Sequence, residues 1–456
     1  MSDSELLYRL DSLKYRPYPR YVVALAAISF FLVFWDVYNI GFVLPIAADQ
    51  LGVAINSFLY ALPITTGLIG YVAGELVLGR VSDLYGRRIG LMITLILTAL
   101  GSLLAALSLN FIELSIFRFI IGLGIGAEIA IIPTYMSEIT PPHLRGTFVG
   151  WTTAVGMIEI LPVGAMAFFI VPLISWGWRL MLGIGSLVAI PALLLRFLYL
   201  PESPRWLILK GKVKEAEKVI SKMEDFVKNK YGSLERISTS KGEAFIRTSG
   251  FRVILKRPYL ERWLLMFVVW FSYYLGDYAL VSVVPTLFIV HGFTVTKSYL
   301  YFFLSSSGDS VGSFSGMYLS DKLERKYLGL IIMILSAIFF PLWGLGIGGD
   351  PGIILFGFLV FFTQGFWLPV IYGYTAEIFP TEVRATGMFF TDGLGHIGGA
   401  ISPYVILPIA FSAGFLGLGG YVSAFTAMGL SALVAGILVG LLGPKTLKKR
   451  LALLRT

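Results

Sequence analysis

Apolar residues run through this chain in long blocks separated by short polar stretches. A block of about 20 apolar residues is long enough to cross a bilayer as a helix. Twelve such helices are predicted, over residues 21–46, 57–79, 89–109, 112–137, 147–171, 178–200, 263–290, 298–319, 328–347, 352–377, 385–412 and 415–443. Those longer than about 25 residues fit tilted or bent spans. The first 20 residues are too polar for a secretory signal, and no small-residue cleavage site follows a short apolar core. The first span is therefore expected to be retained.

Polar residues gather in one internal stretch, 201–262. Within it KVKEAEKVISKMEDFVKNK (212–230) carries helix formers with Glu/Lys pairs at helical spacing. One or two amphipathic helices are expected there, linking two six-helix halves. The predicted organisation is an N-tail (1–20), a first half (21–200), the linker (201–262), a second half (263–443) and a basic C-tail (444–456). The tail sequence PKTLKKRLALLRT reads as an amphipathic helix on anionic lipid.

Composition agrees with this class. Hydrophobic residues make up 57% of the 456 positions and charged residues 14%, where soluble domains hold about 45–50% and about 25%. Charge position then orients the chain. Numbering loops alternately from the N-terminus, 32 of the 36 Lys and Arg fall on the side of the N-tail. The positive-inside rule places both termini in the cytoplasm. The same distribution accounts for the net charge of +9 without nucleic acid. With no cysteine and three scattered histidines (His143, His291, His396), no thiolate or histidine metal cluster is expected.

The halves repeat each other at an offset of about 239 residues. SDLYGRR (82–88) answers SDKLERK (320–326). Glu138 and Arg145 answer Glu377 and Arg384, each pair seven apart. WDVYNIGFVLP (35–45) answers LGDYALVSVVP (275–285). Two halves with an even number of spans are related by an axis along the membrane normal, the parallel-repeat architecture of transporters that rock around a midplane site.

These segments resemble the major facilitator superfamily over essentially the whole chain. The stretch Gly79-Arg-Val-Ser-Asp83-Leu-Tyr-Gly86-Arg87-Arg88 is similar to its signature loop. RFIIGLGIG (118–126), WGWR (176–179) and PESPRWL (201–207) resemble the sugar-porter and related metabolite branches. PTEVRATG (380–387) and HIGGAISP (396–403) are closer to organic-ion, niacin-type and synaptic-vesicle-glycoprotein relatives. Sugar porters carry a Gln-Gln pair in span 7, where this chain has WFSYYLGDYALVSVVP. The resemblance implies a major facilitator fold, cavity-lining helices 1, 4, 7 and 10, and a charge latch that holds the outward-open state.

The latch residues are Gly79, Asp83, Gly86, Arg87, Arg88, Glu138, Arg145, Glu202 and Arg205, with Asp321, Arg325, Glu377 and Arg384 in the second half. Asp83, at a helix end, can accept from a helix N-terminus. Arg145 and Arg88 can pair with it, with Glu138 or with Glu202. Glu324 replaces the loop glycine in the second copy, so that latch is expected to be weaker. GLGIG (122–126) is no dinucleotide fingerprint, because no strand precedes it. Its small residues allow close helix approach in lipid.

Ionisable groups inside spans are functional candidates by default. The acids are Asp36, Glu75, Glu128, Glu159, Asp277, Asp309 and Asp392; the bases are Arg118 and His396. Burial disfavours the charged carboxyl, so several acids are expected to hold or exchange a proton. Asp36, Glu128 and Glu159 are the proton-coupling candidates, the resemblance implying that role for Glu128 with Asp36 as partner. Asn39, Tyr274, Asp277, Gln364, Trp367, Asp392 and His396 are the substrate candidates. Asp36, Glu128, Asp277 and Gln364 are expected to meet in the cavity. His396 aligns with a position where organic-ion relatives carry a charge, and could bind a carboxylate when protonated.

With no phosphate loop and no nucleophile–base constellation, the chain is expected to be no enzyme and to draw on an ion gradient. It reads as a proton symporter of a small polar metabolite, a sugar or small organic acid, acting as a monomer without a cofactor. A facilitator or antiporter of organic cations, and a non-transporting receptor on the same fold, are the other readings.

Overall fold

Backbone polar groups in lipid must be satisfied within the segment, so the apolar blocks fold as helices. The computed structural model describes residues 3–191, 194, 200–237, 255–257, 259–320, 322–379 and 384–446. Residues 447–456 of the C-tail helix expected over 444–456, Asp321, Arg196 and the side chain of Arg384 lie outside the described residues.

Nine helices among the described residues are long and apolar enough to cross a membrane. In chain order the elements begin with α1 (Asp3–Asp11), α2 (Arg20–Gln50), α3 (Phe58–Tyr85), α4 (Arg87–Ala106) and α5 (Phe111–Ile139). Then come α6 (Pro142–Met157), α7 (Ile160–Phe169) and α8 (Gly177–Gly185), and the surface helices α9 (Pro204–Leu209) and α10 (Val213–Tyr231). The second repeat holds α11 (Tyr259–Val290), α12 (Val295–Ser320), α13 (Arg325–Gly344), α14 (Gly349–Ile378), α15 (Arg384–Met388), α16 (Leu394–Phe411) and α17 (Gly419–Ile437).

The fifth predicted span departs from one continuous helix. It is broken between α6 and α7, and the break places Glu159. The eleventh carries a π-helical turn, Phe389–Gly393, between α15 and α16. Such turns widen a helix locally and re-aim its side chains.

The repeat read from the sequence reappears in the packing. α3 lies on α5 through glycines: a Cβ on Gly122 would sit 2.0 Å from the Gly67 carbonyl oxygen, and one on Gly126 2.0 Å from that of Tyr71. α12 lies on α14 in the same way, with Gly308 and Gly312 against the carbonyls of Phe358 and Phe362. Backbone-to-backbone contact of this kind replaces the hydrophobic drive that helices lack in lipid.

Both ends of the described chain gather at the signature-loop face. Tyr18 bonds Thr140 at 2.6 Å, and Thr446 donates its amide to Glu324 at 3.0 Å. The N-tail is not a free extension there. Its α1 packs on α10, whose apolar stripe (Ala216, Val219, Ile220, Met223, Val227) is buried. Arg9 and Arg236 both bond Glu224, Lys14 pairs with Glu235 at 2.6 Å, and Tyr15 stacks on Tyr231.

Burial alone would raise the Glu224 carboxyl, but the guanidiniums of Arg9 and Arg236 outweigh it and hold it below its ordinary value. A depressed folded-state value means that this contribution is present above the unfolded carboxyl value, about 4.3, and is lost as pH falls through the folded one. The N-tail is therefore expected to undock on acidification below about pH 4. Hydrogen exchange of residues 3–18 reads this directly. Glu224→Gln should give fast exchange already at neutral pH; protection unchanged by that substitution would leave the contact without energetic weight.

Candidate functional site

At the signature-loop face, Glu202 caps α4, accepting from the backbone amides of Arg87 (2.9 Å) and Arg88 (3.2 Å). Those amides have no partner within their own helix. Gly86 makes room for the carboxylate: its φ is +114°, and a Cβ there would meet Glu202 Oε2. Arg87 pairs with Glu138 (2.9 Å) and with Asp83. Arg325 pairs with Glu377 at 2.7 Å, the same contact in the second repeat. Arg145, expected to pair with Asp83, Glu138 or Glu202, instead bonds the Thr140 carbonyl and faces Asp11 of the N-tail at 3.8 Å. Arg205 also bonds Asp11. The partner role falls to Arg87 because it begins α4 one turn beyond Asp83, beside the end of α5 that carries Glu138. The Arg87–Asp83 and Arg87–Glu138 pairs lie within the first repeat and the Arg325–Glu377 pair within the second.

The opposite face is sealed across the repeats. Tyr60 bonds Thr286 at 2.6 Å, Thr65 donates to the Ala400 carbonyl at 2.6 Å, and Tyr299 donates to that of Phe42. Phe58 stacks on Tyr404 at 4.7 Å. Between the repeats at the signature-loop face lies an open vestibule. It is lined by Glu75, Gly79, Arg80, Asp83 and Arg87 on one side and by Thr386, Phe389 and Phe390 on the other.

An inner cavity is lined by Tyr38, Tyr71, Tyr274, Tyr278 and Tyr372, by His396, and by Asp277 and Asp309. His396 is sandwiched between the rings of Tyr71 (4.0 Å) and Tyr274 (4.1 Å). Its Nδ1 lies 2.9 Å from the Asp392 carbonyl. A carbonyl only accepts, so Nδ1 carries the proton and Nε2 of the neutral ring keeps its lone pair. The Asp392 carboxylate accepts from Tyr274 at 2.5 Å and Tyr372 at 3.3 Å.

Of the substrate candidates, Tyr274, Asp277 and His396 line this cavity, and Asp392 stands behind two of its tyrosines. Asn39, Gln364 and Trp367 do not line it. Asn39 Nδ2 bonds Asp36 at 3.1 Å inside the first repeat. Gln364 bonds Ser336 at 2.6 Å inside the second, and Trp367 packs on Gly329 and Tyr273. The expected meeting of Asp36, Glu128, Asp277 and Gln364 therefore does not occur. α2 turns Phe34, Val37 and Tyr38 to the cavity, and that rotates Asp36 into its own bundle. There Asp36 accepts from Ser102 at 2.6 Å, and its backbone carbonyl accepts from Arg118 at 2.8 Å.

Glu128 and Glu159 are fully buried, with no hydrogen-bond partner for any carboxyl oxygen among the described residues. The sequence reading missed Tyr38, Tyr71, Tyr278 and Tyr372 as a set. Spacing was the available signal: Tyr274 and Tyr278 are one turn apart, and Tyr71 and Glu75 likewise.

Helices in two repeats, a cavity shared between them and a vestibule at one face with the other sealed define a multi-pass membrane transporter. The sugar (and other) transporter family model matches residues 22–455, and the chain belongs to that family. It is 28% identical to the putative metabolite transport protein YyaJ of Bacillus subtilis over 97% of this chain and 96% of that one. It is 29% identical to the niacin transporter NiaP of Acinetobacter baylyi, covering 75% and 76%. The fold aligns with a partially occluded inward-open structure of the xylose transporter XylE from E. coli. That match has a TM-score of 0.74, at 19% identity, over 94% and 98% of the two chains.

Proposed function

We propose that this protein carries a small polar metabolite across the cell membrane by alternating access between two six-helix halves, residues 21–200 and 263–443, coupled to protons. Twelve spans and cytoplasmic termini are part of this reading, supported by the bias of Lys and Arg to one side. On that orientation the vestibule opens to the cytoplasm and the structure is inward-facing. The observation that carries the proposal is the inner cavity: both repeats build it, and its far side is closed by hydrogen bonds between them. The partnerless carboxyls of Glu128 and Glu159 support proton coupling, since a buried carboxyl without a counter-charge favours its neutral form.

Stacked tyrosines and His396 suit a flat, ring-bearing cargo. The relatives leave sugars and small organic acids both open. One observation favours the organic-cation reading instead. Among the described residues no Lys or Arg lines the inner cavity, while Asp277 and Asp309 do.

Proteoliposome uptake over sugars, aromatic and aliphatic carboxylates and organic cations, with and without an imposed pH gradient, separates these readings. Accumulation of one compound only under the gradient is the expected result. Flux that merely equilibrates would make the protein a facilitator, and absence of any flux would favour a receptor.

A further inference from the structure

The inner cavity and the vestibule are divided by a layer that contains two carboxyl groups from opposite repeats. Glu75, on α3, lines the vestibule. Its Oε2 is buried and has no hydrogen-bond partner among the described residues. It lies on the π-helical turn of the other repeat: a Cβ on Gly393 would sit 2.5 Å from it. Asp392, the neighbouring residue of that turn, is held on its other side by Tyr274 and Tyr372, which line the inner cavity. The two carboxyls act on each other electrostatically.

We propose that Glu75 and Asp392 together form a proton-binding site that straddles the barrier, reached from the cavity through Asp392 and from the vestibule through Glu75. This rests on the proton-coupled reading above and assigns it a place. With both carboxyls ionised, like charges face each other in a poorly screened setting and oppose closure of α3 on α16. With one proton bound, one carboxyl can donate to the other and the halves can close over them. Proton affinity is thus highest when the cytoplasmic mouth is shut and falls when the vestibule opens and wets the site. Opening then releases the proton to the cytoplasm.

The other groups around the pair are Tyr71 on α3, Tyr274 and Tyr278 on α11, Tyr372 on α14 and His396 on α16. Arg80, Asp83 and Arg87 line the vestibule beyond. α5 contributes Ala130, Ile131 and Thr134 there, none of which titrates in this range.

The test needs no cargo. The chain has no cysteine, so Tyr85→Cys and Leu323→Cys, at exposed positions of the two signature loops, give a unique spin-label pair. Electron–electron distance distributions are recorded on the full-length protein in nanodiscs at pH 5.5 and 8.5. In the parent pair the ratio of short to long distances is expected to rise about tenfold or more at acid pH, a change of about 1.4 kcal/mol. Glu75→Gln should abolish that response and hold the short form at both pH values. Asp392→Asn should also abolish it, so the result does not hang on the folding of one variant. A parent-like pH response in both variants would overturn the site and leave proton coupling to Glu128 or Glu159. A flat response in the parent pair would overturn it too, while the transport reading is judged separately by the gradient dependence of uptake.

Discussion

Gly122→Ala is expected to destabilise the protein by about 3 kcal/mol or more, at or above the top of the usual range for overpacking. The added Cβ would lie 2.0 Å from the Gly67 carbonyl oxygen and 2.8 Å from the Tyr71 amide nitrogen. Both are backbone atoms of α3, so no rotamer change relieves the clash and the two helices must part. Parting them would also displace Tyr71, whose ring covers His396. A control lies close by. Gly146 on α6 has nothing within 4 Å of its virtual Cβ, and Gly146→Ala should be neutral or stabilise by about 0.5–1 kcal/mol. Thermal unfolding of the purified protein in detergent compares the two. Similar melting temperatures would mean that α3 and α5 are free to separate, and that the glycine contact carries little of the fold.

Arg118→Ala is expected to cost about 1.5–3 kcal/mol, the usual weight of a buried hydrogen bond from a charged donor. Arg118 is 5% exposed and Asp36 is fully buried. The guanidinium donates to the Asp36 backbone carbonyl at 2.8 Å. It also lines a small recess beside the inner cavity, together with Tyr71 and Tyr278. Without it, the Asp36 carboxylate keeps the hydrogen bonds from Ser102 and Asn39 among the described residues. The paired variant Arg118→Met with Asp36→Asn removes both charges and should recover only the part of the loss that is charge–charge attraction. The coupling energy from the double-mutant cycle measures the pair. A loss of about 0.5 kcal/mol or less for Arg118→Ala, the size seen at unremarkable surface positions, would show that Asp36 is already neutral.

The class of the protein was legible in the chain because membrane helices are specified locally. A run of apolar residues must satisfy its own backbone in lipid, whatever surrounds it. The repeat was legible for a related reason. The motif residues that carry it, Arg87 with Glu138 and Arg325 with Glu377, are close contacts across short stretches of the same half. The bundle of short helices at the polar face was anticipated over 201–262, but its clasp was not. Asp11, Arg145 and Arg205 come from three separate segments, and their meeting depends on how α1 lies on α10.

The cavity was legible only in part. Tyr274, Asp277 and His396 were identified as polar or ionisable groups inside spans, and they face the shared space. Asn39, Gln364 and Trp367 were identified on the same grounds and face the interior of their own bundles. Nothing in a continuous apolar helix distinguishes these two directions. In a soluble helix, polarity marks the outward face; here lipid, bundle core and cavity wall all admit apolar residues, so periodicity is nearly silent. Composition, hydropathy and motif spacing determined by themselves that this is a two-repeat membrane transporter with a charged loop face. The rotation of each helix about its own axis was decided by tertiary packing, through glycine contacts such as Gly122 on Gly67 that set which side chains turn inward. That rotation placed Asp36 in a bundle and the π-helical turn at Gly393 against Glu75, because it is fixed by backbone atoms far apart in the chain.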